Sequence, residues 1–165
     1  MTKQLHRIPG VLVELSARGQ KRPLDGLLTQ GAKQSDTLLL FVHGMGGNFY
    51  RSELRKQMLL QGPCAGIDVL SFNNRGHEDN VADEVFVDCR HDIDAAIEFG
   101  RKQGYRRFIL LGHSTGCQKS RITNNFGSAK TFSRWFSPPS VTTTRLFGES
   151  PEHATRTGSP GHNTW

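Results

Sequence analysis

The pentapeptide Gly112-His113-Ser114-Thr115-Gly116 follows directly on the apolar run Phe108 to Leu111. It matches G-x-S-x-G, in which flanking glycines permit a sharp strand-to-helix turn that lifts a serine hydroxyl clear of the sheet. The chemistry available to such a serine is nucleophilic attack on an acyl carbon, and the oxyanion that develops needs rigidly held N–H donors. One donor comes from the residue after the nucleophile, here Thr115, and another from an earlier loop. His43-Gly44-Met45-Gly46-Gly47, also placed straight after an apolar strand-like run, is the candidate for that loop, with Met45 as the donor. Taken alone, the same stretch could cradle a phosphate. The dinucleotide fingerprint G-x-G-x-x-G is not completed, because positions 44, 46 and 49 read Gly, Gly and Phe.

A serine needs a base. The expected order along the chain is Ser, then Asp or Glu, then His. Beyond Ser114 the only acidic side chains are Glu149 and Glu152, and the only histidines are His153 and His162, with no strand ends nearby to position them. His113 is expected to pack beside the turn, since neighbouring side chains on a tight turn diverge. His43 is assigned a structural role at the mouth of its loop. Asp88, Cys89, His91 and Asp92 form a ligand-like group on one helix, but adjacent helical residues point apart, so a solvated helix face is expected there and no metal site. No cofactor is expected. The three cysteines, Cys64, Cys89 and Cys117, form no CxxC pair, which leaves no sign of zinc, redox work or a disulfide framework.

The elements that would position these groups alternate. Residues 11–15 and 24–28 read as strands, and 37–42 as a strand buried on both faces. A helix is expected over 52–61, with Ser52 as N-cap and Gly62-Pro63 as its stop. A strand at 67–72, a helix from about 83 to 104 and a strand at 108–111 follow. The long helix carries Val85, Cys89, Ile93, Ala96, Ile97 and Gly100 at spacings of three and four. This rhythm indicates an α/β fold, a mostly parallel sheet with helices on both faces.

After Lys119 the pattern changes. Of the last 46 residues, 15 are Ser or Thr and 8 are Gly or Pro, and no period of 2 or 3.6 is sustained. Residues 1–119 are therefore read as the N-terminal part of a folded domain. Residues 120–165 are read as a disordered or frameshifted tail that leaves the strand at 108–111 as an unpaired apolar edge. The net charge of +6 is scattered, so it argues only weakly for nucleic acid or an anionic membrane, and no nucleic-acid partner is expected. The longest apolar run is too short to span a bilayer. The polar start lacks a signal-peptide core, so the expected compartment is the cytoplasm.

The two glycine motifs, with Asn73-Asn74-Arg75-Gly76-His77 between them, resemble the α/β-hydrolase superfamily over about 1–119. In that resemblance 24–27 and 39–44 are similar to its second and third strands, and 108–116 to its fifth strand and serine turn. It implies an incomplete α/β-hydrolase fold of esterase-like, thioesterase-like or peptidase-like type. The implied activity passes through an acyl-enzyme on Ser114, with a small-molecule acyl substrate and a Ser–acid–His triad whose last two members this sequence does not supply. If a frameshift explains the composition break, one of the other two reading frames downstream of codon 119 encodes helix and strand patterns, an Asp-bearing loop and a late histidine. Translating those frames checks this, and two featureless frames would make the tail native.

Overall fold

The computed structural model describes residues 8–125 and 132–135. Six strands form one mixed sheet in the order β1-β2-β4-β3-β5-β6. They are β1 (Val11–Leu15), β2 (Leu24–Thr29), β3 (Thr37–Val42), β4 (Asp68–Phe72), β5 (Arg107–Gly112) and β6 (Phe132–Trp135). β1 and β2 form an antiparallel pair, and β2 is again antiparallel to β4. From β4 through β3 and β5 to β6 all neighbours run parallel, which brings the carboxyl ends of β3, β4 and β5 to one edge of the sheet. The glycine motifs sit at that edge.

The apolar run in β3 serves both faces because successive side chains point opposite ways. Leu38, Leu40 and Val42 join Leu70, Phe72 and Leu110 beneath Ile93, Ala96 and Ile97 in one buried cluster. The last three lie on α2 (Cys89–Lys102). Phe41 and Val69 are buried on the other face, under α1 (Glu53–Cys64). There Gly62 lies so close to β4 that a Cβ would stand 2.3 Å from Val69 Cγ2. This contact accounts for a departure from the sequence expectation. Gly62-Pro63 does not stop the helix, which runs on to Cys64 with Pro63 inside it. The glycine serves the approach to β4.

α2 begins at Cys89, later than its apolar spacing suggested. Val81–Asp83 and Phe86–Asp88 are separate short 3-10 turns, and Val85 is exposed. The chain is extended at Glu84 and Val85, because Glu84 turns inward over Gly76 to meet Lys119. Lys119 belongs to α3 (Thr115–Asn125), so the composition break after Lys119 does not break the helix. α3 presents Lys119, Ser120 and Thr123 to the interior. Lys119 Nζ donates to Glu84 at 2.9 Å, while Ser120 and Thr123 hydroxyls donate to the carbonyls of Gly116 and Lys119. The buried stripe of this helix is thus polar, and each of its side chains has a partner. β6 then pairs with β5 from Ile109 to Gly112, so β5 is not the unpaired edge expected from the sequence. The rest of the proposed tail, 126–131 and 136–165, lies outside the described residues.

The expected solvated face of α2 also needs correction. Asp92 is fully buried and takes Arg75 in a fork: Arg75 Nε and Nη2 donate at 2.9–3.1 Å, and the Arg75 backbone N–H at 2.8 Å. Arg75 Nη2 also donates to the Arg18 carbonyl, tying the loop after β1 to the loop after β4. Burial opposes the Arg75 charge, but Asp92 more than offsets this and raises the guanidinium pKa. Replacing Asp92 by Asn removes the buried counter-charge of Arg75, leaving only the half-exposed Asp88 nearby, and should cost about 3–5 kcal/mol. Replacing the half-exposed Asp88, which stands 3.4 Å from Arg75, by Asn should cost less than about 1 kcal/mol. Denaturant midpoints of the two variants check this, and equal losses would contradict it.

Candidate active site

Ser114 is exposed and has φ 56°, one of two non-glycine residues with positive φ among the described residues. A side chain in that region carries strain that the surroundings must hold. Three close approaches hold it. A Cβ on Gly116 would stand 2.2 Å from the Val42 carbonyl oxygen, and one on Gly112 would stand 2.5 Å from the Cys117 backbone. A Cβ on Gly44 would meet Ser114 Cβ at 3.0 Å and the His113 carbonyl at 3.1 Å. The turn after β5 and the loop after β3 thus pack backbone on backbone. The Gly116 and Cys117 N–H groups close the turn by donating to the carbonyls of His113 and Ser114.

The same contact brings together the two expected donor residues. The Met45 N–H donates to Thr115 Oγ1 at 2.8 Å. Met45's side chain is exposed beside Ser114, on the rim of a cavity of about 330 Å³. Gly44, Gly47, Arg51, Arg55, His113 and Ser114 are among its lining residues. His113 is therefore exposed at the cavity, where the sequence reading expected it to pack beside the turn. Among the described residues no hydrogen bond joins Ser114 to a histidine. His153 and His162, with Glu149 and Glu152, lie outside the described residues.

The loop after β3 is held from below and from the side. His43 is fully buried. Its Nδ1 stands 2.6 Å from the Gly44 carbonyl, and its Nε2 accepts the Asn74 N–H at 2.8 Å. That pairing defines a neutral imidazole with its proton on Nδ1, bridging the loops after β3 and β4. Burial pushes its pKa down to about 3, helped by the charges of Lys119 and Arg55. The structural role expected for His43 is the one its contacts describe. On the outer side Asn48 caps the loop by accepting the Tyr50 and Arg51 N–H groups, and its amide donates to Glu78. Glu78 has φ 53°, and its N–H donates to the Gly47 carbonyl.

Arg55 was missed by sequence reasoning. It is 2% exposed, and its guanidinium lies over the Phe41 ring, 4.7 Å from the centroid. A signal was present in the sequence: Arg51 and Arg55 flank the first turn of α1, where the helix dipole favours acids. Among the described residues no group of three or more His, Cys, Asp or Glu could hold a metal ion, and no helix is long and apolar enough to cross a membrane.

A serine on a strained turn at the carboxyl edge of a mixed, mostly parallel sheet, under a glycine loop from the neighbouring strand, defines the α/β-hydrolase class. A profile described as the alpha/beta hydrolase family matches residues 39–155, well over half of the chain, and the chain belongs to that family. No curated relative matches it. Among solved structures it is similar to a thermostable carboxyl esterase of Bacillus coagulans, with TM-score 0.59 and 15% identity over 77% of this chain and 44% of that one. It is also similar to a Butyrivibrio proteoclasticus protein solved with ferulic acid bound, with TM-score 0.60 and 16% identity over 69% and 47%. A serine hydrolase without a lid from Xanthomonas campestris aligns with TM-score 0.54 and 17% identity over 75% and 59%. The chain spans about half the length of these structures, and the likeness is one of fold.

The buried His43 carries a pH dependence whose sign is fixed. Unfolded, it takes a proton below about pH 6.5; folded, it stays neutral down to about pH 3. Between those values the unfolded chain binds more protons, so stability falls as pH drops, by at most about 1.4 kcal/mol per pH unit from this group. In His43→Gln that part of the slope should vanish. Denaturant midpoints at pH 7, 6 and 5 for both proteins test this, and parallel pH slopes would contradict it.

Proposed function

We propose that the chain carries the nucleophile and oxyanion loop of a serine hydrolase that cleaves an ester, thioester or amide through an acyl-enzyme on Ser114. The observation that carries this reading is the exposed Ser114 at φ 56°, held at the edge of a cavity under the Gly44–Gly47 loop. In the reaction Ser114 Oγ attacks the acyl carbon, and the oxyanion faces the Met45 and Thr115 N–H groups. The leaving group departs with a proton, and water then releases the acid. The Thr115 hydroxyl now takes the Met45 N–H. A substrate oxyanion would displace it from the Met45 N–H or accept a hydrogen bond from it.

Both proton transfers need a base, and an unassisted serine hydroxyl is a poor nucleophile near pH 7. We therefore propose that this chain by itself has little turnover. A second reading, a non-catalytic binding module, draws on the occupied Met45 N–H, which leaves that donor satisfied without any ligand.

Hydrolysis of a short-chain nitrophenyl ester tests the proposal. A serine without a base retains at most about 10³–10⁴-fold acceleration over water, from the oxyanion hole and binding alone. The expected rate is in or below that range, with little change in Ser114→Ala. Robust turnover abolished by Ser114→Ala would overturn the claim of low activity. His153→Ala and His162→Ala would then locate the base.

A further inference from the structure

Arg55, Arg75 and Lys119 are the buried cations among the described residues. Arg75 is forked to Asp92, and Lys119 is paired with Glu84. Arg55 has neither arrangement. Its Nε is buried without a hydrogen-bond partner, and no carboxylate among the described residues pairs with it. Burial is the sole influence on its pKa, lowering it to about 10, so the group remains charged at neutral pH. Stacking on Phe41 offsets part of the lost hydration and covers one face of the guanidinium, but it leaves the hydrogen-bonding edge unused.

That residue lines the same cavity as Ser114. Two further features there favour negative charge: the positive end of the α1 dipole starts at the wall, where Ser52 is the N-cap residue, and Arg51 lies on the same wall. Glu53, the acid of that turn, is engaged with Gln57 and Lys56 and is not part of the wall. Arg51 is half committed to Glu78 at 3.6 Å and is mostly exposed. It adds to the field, whereas Arg55 supplies the buried contact.

We propose that the cavity beside Ser114 is an anion subsite, in which the guanidinium edge of Arg55 receives a carboxylate or phosphate carried by the substrate. The fork of an arginine fits either group through two parallel hydrogen bonds. The substrate class of the Ser114 site is then an acyl compound with a terminal anionic group a short distance from the bond attacked, such as a half-ester of a dicarboxylic acid. This inference rests on the serine-hydrolase reading for its account of Ser114, but the anion subsite is measurable by binding alone. A chain that hydrolyses nothing can pass the test, and a chain that hydrolyses only neutral esters can fail it.

Titration calorimetry on the full chain, with monoethyl succinate, diethyl succinate and inorganic phosphate as probes, decides it. Binding of monoethyl succinate or phosphate is expected, with diethyl succinate about tenfold or more weaker. The tighter of the two anions identifies the group the site takes. Arg55→Met keeps an apolar cover on Phe41 and should weaken anion binding by about tenfold or more without lowering the thermal midpoint. Arg55→Lys keeps the charge but loses the fork, and should bind with intermediate strength. If Arg55→Met does not fold, the loss in Arg55→Lys carries the test. Anion binding unchanged in both variants, or no preference for the half-ester and phosphate over the diester, would overturn the proposal.

Discussion

The loop after β3 and the turn after β5 lie so close that their backbones touch. At Gly116 a single methyl would stand 2.2 Å from the Val42 carbonyl, and neither strand end can retreat, because β3 and β5 are paired along their whole length. Much of the site follows from this contact. It forces glycine at 116 and at 44, on the two sides of the contact, and holds the serine at positive φ. It also brings the Met45 N–H within hydrogen-bonding distance of Thr115. A strained residue persists only where its surroundings over-determine it, and here the two central strands supply that rigidity.

Behind this contact the structure manages an unusual amount of buried polarity. His43 links the loops after β3 and β4 as a neutral ring, and Arg75 links the loops after β1 and β4 through Asp92 and the Arg18 carbonyl. Lys119 and Glu84 tie α3 to the segment before α2. Buried ion pairs add little net stability over apolar packing, but losing one partner is costly, so such pairs fix which loop lies against which. Arg55 departs from this pattern, and its position on the cavity wall makes the departure a matter of recognition.

Most of the strand framework was legible because its signals are local. The strand period at Thr37–Val42 and Gly112, whose Cβ would meet the Cys117 backbone, each report a constraint that acts within a few residues. Helix limits were less legible. Gly62 looked like a stop, yet it is small because β4 passes against it. Val85 continued the apolar spacing of α2, yet the chain turns there so that Glu84 can reach Lys119. In both cases a partner distant in sequence overrode a local signal.

The sequence by itself determined where the glycine turns fall, the serine between two of them and the alternation of strands and helices. Each is announced by residue types or by the period of a strand or helix within a short stretch, although what Gly44 and Gly116 make room for is distant in sequence. Only the tertiary structure decided which charges are buried and with whom. Asp92 read as part of a solvated helix face, and nothing in the sequence marked Lys119 as buried, because their partners Arg75 and Glu84 lie 17 and 35 positions away. Only the tertiary structure put β6 beside β5, and only it left Arg55 buried without an acid beside Ser114. The physical reason is range. Backbone conformation is settled over a few residues, whereas the desolvation of a charge depends on everything the fold packs around it.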